Sequence, residues 1–169
     1  DGSRVAIGAY RNGGNGNLSG HVRIYQYNNN SWSQLGADID GEAENDVSGW
    51  KVSLSSDGST VAIGSTNNDG NGTNSGHVRI YGYNGSAWVK VGADIDGEAA
   101  GDQSGRSISL SSDGSRVAIG APFNDGNGNE SGHVRVYSIS SGGSYQYTWN
   151  VSSTLLDGDY KVTVAGADL

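Results

Sequence analysis

Eight residues recur three times along this chain and constrain its fold more than any other feature. Asp1-Gly2-Ser3-Arg4-Val5-Ala6-Ile7-Gly8 returns as Asp57-Gly58-Ser59-Thr60-Val61-Ala62-Ile63-Gly64 and again at 113–120, a period of 56 residues without insertion or deletion. Ser19-Gly20-His21-Val22-Arg23-Ile24-Tyr25 recurs on the same register at 75–81 and 131–137, and residues 36–43 recur at 92–99. Fixed self-similarity on this scale means that each copy is one supersecondary unit, burying its apolar side against its neighbours.

Within a copy the alternation has the period of a strand. In the complete central copy, segments 50–55, 60–64, 77–81 and 87–95 alternate Val, Ile, Leu, Tyr or Trp with small or polar residues. That pattern predicts four half-buried β-strands, with Val52, Leu54, Val61, Ile63, Val78 and Ile80 inside. No segment carries the i, i+3, i+4 spacing of an amphipathic helix. Ser56-Asp57-Gly58-Ser59 and Tyr83-Asn84-Gly85-Ser86 carry hairpin chemistry, and 67–76 predicts a longer Asn/Gly/Asp-rich loop. Apolar residues make up only 34%, but they are concentrated in these runs, which argues for a folded chain. The chain is therefore expected to be all-β, with antiparallel four-stranded sheets and no helices.

The expected organisation is repeat 1 over 1–48, lacking its first strand, repeat 2 complete over 49–104, and repeat 3 truncated over 105–144. The segment 145–169 departs from the repeat. Its runs 145–151 and 160–164 predict two further strands, one of them a candidate to complete another sheet. Cysteine and methionine are absent, which excludes disulfides and leads us to expect a processed chain or a fragment. No apolar run approaches the length of a membrane-spanning helix. A net charge of −8 disfavours nucleic acid and anionic lipid as partners.

Three elements in fixed order resemble a known family. Ser104-Gly105-Arg106-Ser107-Ile108-Ser109-Leu110, Arg116-Val117-Ala118-Ile119-Gly120-Ala121-Pro122 and Gly132-His133-Val134-Arg135-Val136-Tyr137 are similar to the FG-GAP blade of integrin-α-type β-propellers. The resemblance covers about residues 1–137 and implies propeller-type blades, the first and last incomplete. The family's Phe-Gly aromatic is missing, with Ser48 and Ser104 in its place. Its calcium hairpin is reduced to Ser55-Ser56-Asp57-Gly58-Ser59, too short to wrap an ion, so that site does not carry over. Residues 159–168 are similar to the last strand of bacterial immunoglobulin-like domains.

Two groups of residues are candidate sites. The acidic runs Asp38, Asp40, Glu42, Asp46 and Asp94, Asp96, Glu98, Asp102 place carboxylates around a glycine, a set of oxygens that calcium would accept; the alternative is a solvated strand end with no cofactor. Asn-x-Ser/Thr sequons at Asn17, Asn29, Asn71, Asn84, Asn129 and Asn150 are candidates for glycosylation. His21, His77 and His133 fall one per repeat, which points to packing between sheets before metal binding. No nucleophile elbow or His-Glu-x-x-His motif is present, and the Gly-x-Gly stretches precede strands rather than helices. A non-catalytic extracellular or cell-surface structural or adhesive module is expected, self-associating or joined to neighbouring repeats. The alternative is a glycan- or protein-binding module assisted by calcium.

Overall fold

A computed structural model describes residues 2–140 and the backbone of Tyr145–Tyr147. The second expected strand of the tail (160–164), its immunoglobulin-like stretch and the Asn150 sequon lie outside the described residues.

Thirteen strands form three antiparallel sheets, with no helix among the described residues. The first sheet holds β1 (Arg4–Ala9), β2 (His21–Asn28), β3 (Ser31–Gln34) and β4 (Ile39–Asp40). The second holds β5 (Ser48–Leu54), β6 (Thr60–Ser65), β7 (His77–Tyr83), β8 (Trp88–Lys90) and β9 (Ile95–Asp96). The third holds β10 (Ser107–Leu110), β11 (Arg116–Ala121), β12 (His133–Ile139) and β13 (Tyr145–Tyr147). Each is a meander in sequence order, as tight turns between period-2 segments require. The register repeats with the sequence: Val5 faces Tyr25, Val61 faces Tyr81 and Val117 faces Tyr137.

Two expectations about strands need correction. The segment 87–95 is not one strand. It breaks into β8 and β9, which occupy successive stretches of the same edge of β7. Gly92, at φ +70, turns the chain out between them, and Gly36 at φ +79 does the same between β3 and β4. Only glycine adopts that conformation at no steric cost. The second correction concerns residues 145–147, expected outside the repeat. They pair with β12 (Tyr137↔Tyr147), where β8 pairs with β7 through Tyr81↔Lys90, so they fill the fourth place of the third sheet. Among the described residues β1 stands at the edge of the first sheet.

Two apolar cores join the sheets face to face. Between the first and second lie Val22, Ile24, Ile39, Val61 and Ile63; between the second and third lie Ala62, Val78, Ile80, Ile95, Ile108, Val117 and Ile119. Successive side chains on β6 therefore serve opposite joints, Val61 and Ile63 towards the preceding sheet and Ala62 towards the following one. Of the six side chains expected inside, Val61, Ile63, Val78 and Ile80 are fully buried. Val52 and Leu54 are half-buried and pack against the first core.

The backbones also meet at these joints. A Cβ added at Gly8 would lie 2.1 Å from the carbonyl oxygen of Gly49, and one at Gly64 would lie 2.3 Å from that of Gly105. The recurrence of glycine at the end of the Val-Ala-Ile-Gly strand thus follows from how closely neighbouring sheets approach.

Candidate functional site

The acidic runs lie on the linkers that cross from one sheet to the next. Each linker first adds a short strand to the sheet it leaves: β4 pairs with β2, and β9 pairs with β7. The loops between the second and third strands of the meander then grip it. Asn15 Nδ2 donates to Gly41 O at 2.8 Å, and Asn71 Nδ2 donates to Gly97 O and Glu98 O, both at 2.9 Å.

Nearly every carboxylate in the two runs already has a partner. Arg23 donates to both oxygens of Asp38 at 2.8–3.0 Å and Gln34 donates at 2.7 Å, which together hold the Asp38 carboxyl at about 2. Glu42 lies 3.3 Å from Arg79, which reaches across from the second sheet and also donates to Asp40 O at 2.8 Å. Lys90 Nζ is 2.6 Å from Asp94 Oδ1, an ion pair without hydrogen-bond alignment, since that oxygen is buried with no hydrogen-bond partner. Glu98 pairs with Arg135 of the third sheet and accepts from Asn124 Nδ2 at 3.3 Å.

Asp46 and Asp102 are buried. Asp46 accepts from Ala43 N at 3.0 Å and Asn68 Nδ2 at 3.2 Å; Asp102 accepts from Ala99 N at 3.1 Å and Asn124 Nδ2 at 2.8 Å. Each asparagine also accepts from the amide two residues on, Gly70 or Gly126, at 2.9 Å. One side chain thus shapes the loop and clamps the linker together.

The histidines face carboxylates. His21 Nδ1 lies 3.7 Å from Asp38 and 4.0 Å from Asp40, His77 Nδ1 lies 3.9 Å from Asp96, and His133 Nδ1 lies 3.7 Å from Glu98. Burial pushes His77 below its ordinary value, with the Arg79 charge adding to the effect, and its Nε2 has no hydrogen-bond partner. Burial likewise raises Asp96.

Among the described residues two sets of side chains converge closely enough to hold an ion: His21, Asp38 and Asp40; and Glu42, His77 and Asp94. Each contains a histidine, a ligand foreign to calcium; Arg23 already pairs with Asp38 in the first set, and Arg79 and Lys90 pair with Glu42 and Asp94 in the second. Calcium needs six to eight oxygens, and these donor sets fit it poorly.

Asn17, Asn29, Asn71, Asn84 and Asn129 are all exposed. Asn71, however, uses its side-chain amide in the clasp on Gly97 and Glu98. At the loop end of the third sheet, a depression of about 320 Å³ is lined by Gln103, Phe123, Asp125, Asn129 and Glu130 among others. The Arg106 guanidinium lies 5.2 Å from the Phe123 ring centroid.

Sequence reasoning missed the arginines and asparagines that serve the joints. Their signal was present, since Asn12, Asn68 and Asn124, and Arg23, Arg79 and Arg135, recur with the 56-residue period.

Stacked four-stranded meanders, joined face to face by recurring contacts, define a propeller-type blade array. The FG-GAP repeat family matches residues 37–81 and 93–137, together 90 of the 169 residues, and the chain belongs to that family. FG-GAP repeats are structural and binding repeats found in extracellular adhesion and binding modules. No curated protein matches the chain.

Proposed function

We propose that this chain is a non-catalytic extracellular module of structural or adhesive type, which meets a glycan or protein at its loop end. The observation that carries this reading is how the reactive side chains are used. The histidines and carboxylates that chemistry would need are paired across or beside the joints between sheets, where they orient one sheet on the next. The loop end, by contrast, keeps an open depression in which Phe123 lies among Gln103, Asp125, Asn129 and Glu130. An aromatic face ringed by amides and carboxylates suits a sugar ring or a peptide segment, one supplying apolar contact and the other orientation. The acidic runs serve as struts in this reading, with calcium unnecessary.

The test is binding of the chain to arrays of glycans and to surfaces coated with extracellular matrix proteins. Binding is expected to weaken about tenfold or more on Phe123→Ala, as for an aromatic anchor, and to persist in the presence of a chelator. Equal binding by wild type and Phe123→Ala would overturn the loop-end assignment. Turnover of a bound substrate would overturn the non-catalytic one.

A further inference from the structure

A row of stacked side chains runs along the loop end and crosses both joints between sheets. Arg11 lies 5.4 Å from the Tyr10 ring centroid, and the Tyr10 ring meets Trp50 edge-on at 4.9 Å. Arg106 lies 5.7 Å from the Trp50 centroid and 5.2 Å from that of Phe123. Phe123 lines the loop-end depression, so the row extends that surface towards the first sheet.

The joints do not need these side chains. Residues that hold the sheets together recur with the 56-residue period, as Gly8, Gly64 and Gly120 do. The row does not recur. One period after Trp50 stands Arg106, and Tyr10-Arg11 is replaced by Thr66-Asn67 and then by Pro122-Phe123. Both joints nevertheless close to the same backbone contact, Gly8 on Gly49 and Gly64 on Gly105. Trp50 also stays 41% exposed although its sheet packs on a neighbour at either face. Arg11 and Arg106 are exposed, and among the described residues neither pairs with a carboxylate, in contrast to Arg23, Arg79 and Arg135.

We propose that this row binds an acidic polysaccharide, a linear glycan whose sugar faces lie on Trp50 and Phe123 and whose carboxylate or sulfate groups meet Arg106 and Arg11. The proposal rests on the loop-end reading and narrows its ligand. Aromatic rings supply flat apolar contact for the sugars. A guanidinium held against those rings keeps its donor edge for an oxyanion, and its planar fork loses little freedom on binding. Alternating ring and cation suit a polymer that alternates sugar faces with acid groups. Charge density separates such a ligand from nucleic acid. Duplex DNA carries a phosphate charge about every 1.7 Å, whereas hyaluronan carries one carboxylate on every second sugar. A chain of net charge −8 also captures polyanions poorly in a non-specific way, so binding would report on this row.

The test is binding of the full chain to hyaluronan, whose acid groups are carboxylates alone, and to chondroitin sulfate, with neutral carboxyl-reduced hyaluronan as the control. At least one acidic polymer is expected to bind about tenfold or more tighter than the neutral one, and its identity assigns carboxylate or sulfate as the group recognised. Trp50→Ala and Arg106→Gln should each weaken that binding about tenfold, as for aromatic and arginine anchors. Melting profiles check that both variants fold, and Trp50→Phe, which keeps a ring, should recover most of the binding lost in Trp50→Ala. Equal binding of acidic and neutral polymers overturns the proposal, and so does unchanged binding in both variants. Binding of neither acidic polymer overturns it as well. The loop-end reading survives each of these outcomes if Phe123→Ala still weakens binding to a neutral glycan or a protein, and falls with the proposal if no glycan or protein binds.

Discussion

Arg79 and Glu42 face each other across the joint between the first two sheets, guanidinium to carboxylate at 3.3 Å, with the arginine buried and the glutamate half in water. The same guanidinium donates to the carbonyl of Asp40, so its role is larger than the ion pair. The two partners should therefore respond unequally to mutation. Glu42→Gln is expected to cost less than about 1 kcal/mol, as for a solvent-screened pair. Arg79→Ala should cost about 2–3 kcal/mol through lost packing and an orphaned carbonyl. Urea denaturation midpoints of the two variants measure the difference.

The clamp of Asn68 on Asp46 joins loop and linker through a buried hydrogen bond at 3.2 Å. Removing one partner leaves a buried polar group unsatisfied, so Asn68→Ala should cost about 1–3 kcal/mol. A double-mutant cycle with Asp46→Ala should give a coupling of about 1 kcal/mol or more, in the range for residues in contact. Additive losses would show that the two side chains act independently.

The repeat period, the sheets and most strands were legible in the sequence, because period-2 alternation survives wherever one face of a sheet is buried. The break between β8 and β9 was not, since Val91 and Ile95 continue the alternation on either side of a single turning glycine. The clamps were hidden for another reason. Asn68 and Asn124 are turn-type residues, and their second role depends on an aspartate 22 residues away. The unequal burial of Ile7 and Ile63 could not be read at all, because identical strands differ only in which neighbour they have.

His77 gives the stability a predictable dependence on pH. Its folded value lies below the ordinary 6.5, so below that pH the unfolded chain binds a proton that the folded chain refuses. The stability tied to the neutral imidazole is present above about pH 6.5 and is lost as the pH falls, by up to about 1.4 kcal/mol per pH unit. Asp96, raised above 3.8 by burial, has the opposite sign: it favours the fold at low pH, and that contribution is lost as the pH rises through its folded value. Chemical denaturation at pH 7, 6 and 5 should show a loss for wild type that is smaller in His77→Gln.

Calcium should do little. With Asp38, Glu42, Asp94 and Glu98 paired to Arg23, Arg79, Lys90 and Arg135, an ion entering either set would have to displace existing cations. Adding 1 mM calcium or a chelator is expected to move the melting temperature by less than about 1 °C, the shift for a ligand well below its dissociation constant. A rise of several degrees that saturates with calcium would show that one of the two His-carboxylate sets binds an ion after all.

At Gly64 the second sheet comes close to the backbone that leads into the third, and this contact helps set the geometry of the joint. A methyl group there would lie 2.3 Å from Gly105 O and 2.9 Å from the Ile108 side chain, and the oxygen belongs to rigid backbone. The sheets would have to separate, opening the core of Ala62, Val78, Ile80, Ile108 and Ile119 beside it. Gly64→Ala should therefore cost about 3 kcal/mol, the upper part of the range for overpacking, although alanine ordinarily stabilises a strand relative to glycine. Gly85→Ala provides the contrast. A Cβ there meets nothing within 4 Å, and its cost comes only from the left-handed backbone at φ +101. It should fall near 1 kcal/mol, within the range for a strained non-glycine residue. Thermal melting of both variants decides the matter: equal losses would mean that the contact of backbone on backbone does not set the spacing of the sheets.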